Sequence, residues 1–384
     1  MNKHFEKLKP SASIAMMDKA RALKAQGVDI ISLAGGEPDF DTPHAVTETA
    51  IRAIKDGKTH YTTGRGIMPL RERIARKMTE ENNIPADAGN ILVTPGGKFA
   101  IQLAVFSLIN PGEEVMILDP SWVSYAPIVQ MFGGIPVKVP LSFKDKYKIS
   151  EDILNEYATD KTKIMIINTP CNPTGRVLTC DEADEIRKFL NKHNDIILIS
   201  DEVYEKIIFD NHKHISMGSY EDIAKRVITI NSFSKSVAMT GWRIGYICAA
   251  SKLVDLMYLP YQHTLTCISE FSQLAAITAL DCTKEMNEML KSYQRRRSIL
   301  VDGLNEIPKA QCLMPEGAFY AWLKFDIDGL DSDGISNYLL EKANVVSVSG
   351  KSYGLGSKQC VRMCFAASDD DLIGAVQRIK NAME

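Results

Sequence analysis

Five short apolar runs between residues 91 and 230 constrain this chain more than anything else in it. Ile91-Leu92-Val93, Val115-Met116-Ile117-Leu118, Ile164-Met165-Ile166-Ile167, Ile196-Ile197-Leu198-Ile199 and Val227-Ile228-Thr229-Ile230 are apolar at nearly every position. A strand with one face in water alternates apolar and polar residues, whereas a strand covered on both faces does not. Helix-like stretches such as Phe99 to Leu108 and Cys180 to Asn191 separate the runs. This alternation predicts an α/β fold, a mostly parallel sheet with helices on both faces.

The two ends have a different character. Ser13 to Gln26 is helical in pattern, with Gly27 placed to follow its last turn. Thr42-Pro43 suits an N-cap and first helical residue, and Gly57 would close that helix. Ser269 to Leu300 reads as one long helix, and beyond Glu316 three strand-like runs (Ala318 to Leu323, Val345 to Ser349, Val361 to Phe365) alternate with helices. A chain of 384 residues accommodates two such units. The expectation is a large domain over residues 41–284 and a smaller α+β domain built from residues 1–40 and 285–384.

Composition narrows the functional classes. With 45 Lys and Arg against 48 Asp and Glu, the net charge of −3 leaves no electrostatic footprint for nucleic acid. The apolar runs fall far short of a membrane span, and Met1 to Pro10 lacks the apolar stretch of a secretion signal, so a cytoplasmic protein is expected. The eight cysteines form no CxxC pair and the seven histidines no HExxH pattern, which predicts free buried thiols and no metal centre.

In an α/β sheet, ligands sit beyond the carboxyl ends of the strands, so the informative residues should follow each run. Two nucleotide fingerprints fail there. Gly64-Arg65-Gly66 begins a GxGxxG that ends in Pro69 with no strand before it, and Gly97-Lys98 lacks both the earlier glycine of a phosphate loop (Leu92 stands there) and the following hydroxyl residue (Phe99).

What does follow the strands is distinctive. After the first run comes Thr94-Pro95-Gly96-Gly97-Lys98, small residues leading into a helix whose free N–H groups suit a phosphate, or simply make a tight turn. After the third comes Asn168-Thr169-Pro170-Cys171-Asn172-Pro173-Thr174-Gly175, a loop stiffened by two prolines. After the fourth comes Ser200-Asp201-Glu202-Val203-Tyr204; a carboxylate there either caps a helix or meets something positive. After the fifth come Ser232-Phe233-Ser234-Lys235 and Gly241-Trp242-Arg243-Ile244-Gly245. Hydroxyls and a guanidinium suit a dianionic phosphate. A lysine held among them, desolvated and near another cation, has a lowered pKa and can form a Schiff base.

On these strings the chain resembles the fold-type I pyridoxal-phosphate enzymes, the class I aminotransferases, over essentially its whole length. Ser232-x-Ser234-Lys235 with Gly241-x-Arg243-x-Gly245 looks like that family's cofactor-lysine signature, and Asn172-Pro173-Thr174-Gly175 and Asp201-x-x-Tyr204 match in the same order. The resemblance implies that Lys235 holds pyridoxal 5'-phosphate and shuttles the substrate's Cα proton. It implies that Asp201 faces the ring nitrogen, that Tyr204 and Asn172 bond the ring's 3-oxygen, and that Trp122 stacks on the ring. Ser232, Ser234, Arg243 and the backbone of Gly97 and Lys98 would hold the phosphate. Tyr61, in Tyr61-x-x-Gly64-x-Gly66, would reach the neighbouring subunit's phosphate, which implies a homodimer. Arg362 would clamp the substrate α-carboxylate, with Gly36 of the Gly35-Gly36-Glu37-Pro38-Asp39-Phe40 turn beside it.

The amino acid is harder to read. No arginine lies between Ile244 and Gln294, so the side-chain arginine of one aminotransferase subgroup is missing. Lys98 and Lys9-Pro10-Ser11, with Ser13 two residues on, resemble the bacterial type of aspartate aminotransferase, some members of which also accept prephenate. The expectation is transfer of the amino group of aspartate to a 2-oxo acid such as 2-oxoglutarate. The alternatives are another reaction on the same cofactor (β-elimination, decarboxylation or oxidation) or transamination of an aromatic or specialised amino acid. His263 reads either as a pocket residue or as an ordinary loop residue, the second being favoured.

Overall fold

The computed structural model of the protein describes Leu8, Pro10 and residues 12–384, the side chains of Ala12 and Ser13 excepted. Its strands, in chain order, are β1 (Ile31–Ser32), β2 (Ile91–Thr94), β3 (Glu114–Asp119), β4 (Ile135–Pro140), β5 (Thr162–Asn168), β6 (Ile197–Asp201), β7 (Val227–Ser232), β8 (Gly245–Ala249), β9 (Ala310–Cys312), β10 (Tyr320–Phe325), β11 (Val345–Val346), β12 (Val348–Ser349) and β13 (Cys360–Cys364).

Seven of them form one sheet in the order β2-β8-β7-β6-β5-β3-β4. Neighbours are parallel except at β8, which runs antiparallel to both β2 and β7. The missing alternation in the apolar runs has a direct cause. Ile164, Ile166, Ile199, Ile228 and Ile230 belong to the core on one face, while Met165, Ile167, Leu198 and Val227 belong to the core on the other. Each such side chain, fully buried, contributes about 1.5–3 kcal/mol. Helices Gly97–Leu108 and Cys180–Lys192 cover opposite faces, the second opened by a capping box between Thr179 and Glu182.

A second sheet, β12-β13-β10-β9, is antiparallel and carries its own core. That core packs Leu300 and Leu304 of helix Thr283–Asn305 and Leu372 of helix Asp369–Met383 against Phe325 and Phe365. Leu33 near the N-terminus and Tyr204, Ile207 and Phe209 from beyond β6 join it. β1 pairs in parallel with β11. The cleft between the two sheets therefore has walls from both.

Several expectations require correction. Helix His44–Lys55 starts at Pro43 with no side-chain cap; Thr42 instead donates to the Ala238 carbonyl at 2.8 Å and accepts from Trp242 at 3.0 Å. The long helix expected from Ser269 is two helices, Glu270–Ala279 and Thr283–Asn305, parted by a turn in which Asp281 bonds Arg73 on helix Met68–Asn82. The run Val345 to Ser349 divides between two sheets. β4 and β8 were not expected: β4 is a half-exposed edge strand bracketed by Pro136 and Pro140, and β8 begins at a glycine inside a string read for its chemistry. His263 lies in the last turn of helix Ser251–Thr264, not in a loop. All eight cysteines are free, but Cys180 is exposed and Cys171 and Cys267 are half-buried. Among the described residues, no helix is long and apolar enough to cross a membrane.

Candidate active site

The carboxyl ends of β5, β6 and β7 bring Asn168, Asp201 and Ser232 to one edge of the parallel sheet. They open into a cleft of about 430 Å³ whose lining includes Gly36, Gly97, Lys98, Trp122, Asn172, Asp201, Tyr204, Ser232, Ser234, Lys235, Arg243 and Arg362. Twelve of the fourteen residues singled out in the sequence thus share one space.

At one end the groups suit an anion. Helix Gly97–Leu108 begins at Gly96 with no side-chain cap, so its first N–H groups are free of one. Gly96 has φ +82°, and a Cβ there would lie 2.7 Å from the Arg243 guanidinium, so the approach needs glycine. Ser232 Oγ lies 2.8 Å from Ser234 Oγ and accepts the Ser234 N–H at 3.1 Å. Arg243 donates to the Thr240 carbonyl at 2.8 Å and keeps other donors for the cleft.

At the floor, Asp201 is 4% exposed yet forms no salt bridge among the described residues. Its Oδ2 accepts from the Tyr125 hydroxyl at 2.6 Å, and the Val203 N–H lies 3.4 Å from Oδ1. Burial raises its pKa to about 6, against the lowering pull of those two bonds and of Lys235. A buried carboxylate bonded only by neutral donors suits a cation brought against it.

Lys235 lies within the short helix Phe233–Ser236, which Ser232 caps. Its amine contacts the Gly36 carbonyl and lies 5.8 Å from the Phe319 ring centre. Burial lowers its pKa to about 8, with Arg362 and Arg243 pushing the same way. A useful fraction of the amine is therefore neutral near physiological pH.

Arg362 lies within β13, pointing across from the smaller sheet, and is 3% exposed. It is not the surface residue that a strand arginine usually is. It donates to the Ala34 and Gly35 carbonyls at 2.9 and 2.8 Å and to Asn172 Oδ1 at 3.2 Å. Its Nε has no partner, and no carboxylate pairs with it among the described residues. A Cβ on Gly36 would meet the Tyr320 hydroxyl at 3.1 Å, so that turn too has little room for a side chain.

Trp122 is half-buried, with the Lys98 amine 5.0 Å from its ring centre. Lys98, on the first turn of its helix, is accessible to solvent overall, yet the protein around its cleft-lining side chain removes enough water, with Arg243 adding repulsion, to lower its pKa. Tyr61 is 86% exposed and does not line this cleft; His263 is exposed and does not line it either. The side chain of Ser13, and Lys9 and Ser11, lie outside the described residues.

Sequence reasoning missed two tyrosines and one face of the first helix. Tyr125, three residues beyond Trp122, received no role; its partner Asp201 is 76 residues away. Tyr320 bonds the Tyr204 hydroxyl at 2.8 Å and lies beneath the Arg362 guanidinium at 4.3 Å. Ile14, Met17 and Arg21, spaced along one face of helix Ala12–Ala25, also border the cleft. Only that spacing was visible beforehand.

A lysine amine, a cation-seeking carboxylate and a carboxylate-seeking arginine over a doubly covered parallel sheet define a class of group-transfer enzyme. The chain belongs to the family described as aminotransferase class I and II, which it matches over residues 28–379, and it is an aminotransferase of fold type I. It is 40% identical to an aspartate aminotransferase of Pyrococcus abyssi, covering 100% of this chain and 98% of that one. It is 37% identical to aromatic-amino-acid aminotransferase 2 of Thermococcus litoralis, with the same coverage. The solved structure of Thermus thermophilus aspartate aminotransferase with maleate superposes with a TM-score of 0.94 at 33% identity, covering 100% of this chain and 99% of that one.

Proposed function

We propose that this aminotransferase uses pyridoxal 5'-phosphate and takes aspartate as its amino donor, with a 2-oxo acid such as 2-oxoglutarate as acceptor. The observation that carries the reading is the convergence of Lys235, Asp201 and Arg362 in one cleft with a phosphate-sized set of donors at its end. The residues fit the cofactor. Asp201 seeks a cation, which a protonated pyridine nitrogen supplies, and Gly97, Lys98, Ser232, Ser234 and Arg243 offer neutral and charged donors to a dianion. When bound, pyridoxal phosphate serves as the electron sink for the pair left at the substrate's Cα.

The chain's own residues do the rest. Lys235, with its amine partly neutral, takes the proton from Cα and returns it. Asp201 keeps the ring nitrogen protonated by its charge. Tyr204 and Asn172 stand to bond the ring oxygen, and Trp122 to cover the ring face. Arg362 has an unpartnered Nε and a planar fork, suited to the α-carboxylate. Lys98 supplies positive charge for the distal carboxylate of an acidic substrate, and Ser13 is assigned to the same side of the pocket by resemblance. The exposed phenol of Tyr61 fits a homodimer in which it reaches the neighbouring site. We assign the large domain to residues 41–284 and the small one to 1–40 and 285–384, in a cytoplasmic protein.

A second substrate class has its own support: Ile14, Met17, Ile101 and Trp122 give the cleft an apolar side beside Lys98, which suits an aromatic side chain. Steady-state transfer to 2-oxoglutarate from aspartate and from phenylalanine separates the two. Lys98→Gln should lower kcat/KM for aspartate roughly tenfold while sparing phenylalanine. Failure to transfer an amino group to any common 2-oxo acid would reject the reading altogether.

A further inference from the structure

We propose that Tyr125 is the positioning residue for Asp201: its hydroxyl aims that carboxylate, keeps it ionised, and so sets how tightly, and down to what pH, the protein holds pyridoxal phosphate. The inference rests on the cofactor assignment above.

Tyr125 is 1% exposed and opens the short helix Tyr125–Met131. Its hydroxyl donates to Asp201 Oδ2 at 2.6 Å, the short distance of a bond to a charged acceptor. Among the described residues it is the one side chain that bonds this carboxylate. Asn168, though adjacent, spends its amide on the Asp201 backbone carbonyl at 2.9 Å. The remaining bond, from the Val203 N–H, is long at 3.4 Å.

Other groups face Asp201 without bonding it. Lys235 adds positive charge, the neighbouring Glu202 adds negative charge, and Tyr204 and Cys171 stand close. Buried beside a carboxylate, the Tyr125 hydroxyl loses its proton only far above its ordinary pKa. It is therefore a donor at every working pH. Its ring is held edge-on to Trp122 at 5.3 Å, so one five-residue segment, Ser121 to Tyr125, delivers both a ring-covering indole and the carboxylate's donor.

The consequence is a linkage. The cofactor's ring nitrogen needs Asp201 ionised, and burial opposes ionisation. Removing the phenolic donor makes the carboxylate protonate earlier as pH falls, so cofactor affinity should fail at a higher pH.

The test is a titration of the cofactor-free chain with pyridoxal phosphate from pH 5 to pH 9, followed by absorbance, for the wild type, Tyr125→Phe, Asp201→Asn and the double variant. Tyr125→Phe keeps the ring and its packing. It should weaken cofactor binding roughly tenfold near pH 7 and move the acidic loss of affinity up by about one pH unit, the effect of one bond to a charged group. In the Asp201→Asn background the same change should do far less. An unmoved pH edge, or an equal penalty in both backgrounds, would overturn the inference, because packing alone would then account for Tyr125. A wild type that binds no pyridoxal phosphate would instead overturn the cofactor assignment.

Discussion

Replacing Asp201 with Asn should stabilise the cofactor-free protein more and more as pH rises. The folded state holds this carboxyl at about 6, raised by burial above the ordinary 3.8. A raised carboxyl pKa means that the folded protein binds the proton more tightly than the unfolded chain does. The resulting penalty is absent below pH 3.8, grows as pH rises, and is complete above pH 6. A shift of about two units corresponds to about 3 kcal/mol in total, of which about 2 kcal/mol develops between pH 4.5 and pH 8. Asn keeps an acceptor for Tyr125, and any cost of its amide is the same at every pH. The difference in unfolding free energy between Asp201→Asn and wild type should therefore move in favour of the variant by about 2 kcal/mol over that range. Urea unfolding of both cofactor-free proteins, followed by tryptophan fluorescence, measures it. A difference independent of pH would refute the claim that burial holds the Asp201 carboxyl above its ordinary range.

Lys235→Ala should abolish turnover while equilibrium dialysis still finds pyridoxal phosphate bound through the donors of Ser232, Ser234 and Arg243; retained turnover would remove Lys235 from the chemistry. Arg362→Lys keeps a charge but loses the planar fork, so kcat/KM for any α-amino acid should fall roughly 100-fold, equivalent to about 3 kcal/mol. Outside the cleft, Lys77 pairs with buried Glu205, whose pKa burial pulls upward but Lys77, His214 and Lys206 hold down to about 2. Lys77→Ala should cost about 3–5 kcal/mol at pH 7; because that carboxyl is depressed, the wild-type advantage should shrink as pH falls from about 4.5 towards 2, which urea unfolding checks.

The large sheet was legible because its central strands are buried on both faces, as the two cores sharing Ile164-Met165-Ile166-Ile167 explain. Edge strand β4 was not, since Ile135 to Pro140 carries two prolines and a lysine and is mostly uncovered. The break at Leu280 to Cys282 is not marked in the sequence because the turn carries no glycine or proline, and the Arg73 that Asp281 meets there is 208 positions away. In the cleft, the short strings after β5, β6 and β7 announced their residues because they are local in sequence. Tyr125 and Tyr320 did not, because a buried tyrosine in an apolar segment looks like core until Asp201 or Arg362 is seen beside it. Arg362 was found only through resemblance, since nothing within Val361-Arg362-Met363 separates a buried clamp from a surface arginine.

The most direct test of the central claim is the visible absorbance of the purified protein before and after excess L-aspartate, with no oxo acid present. The account predicts a yellow protein that bleaches with aspartate and regains its colour when 2-oxoglutarate is added. A protein that stays colourless after incubation with pyridoxal phosphate would contradict it, and a yellow protein indifferent to aspartate would reject aspartate as the donor.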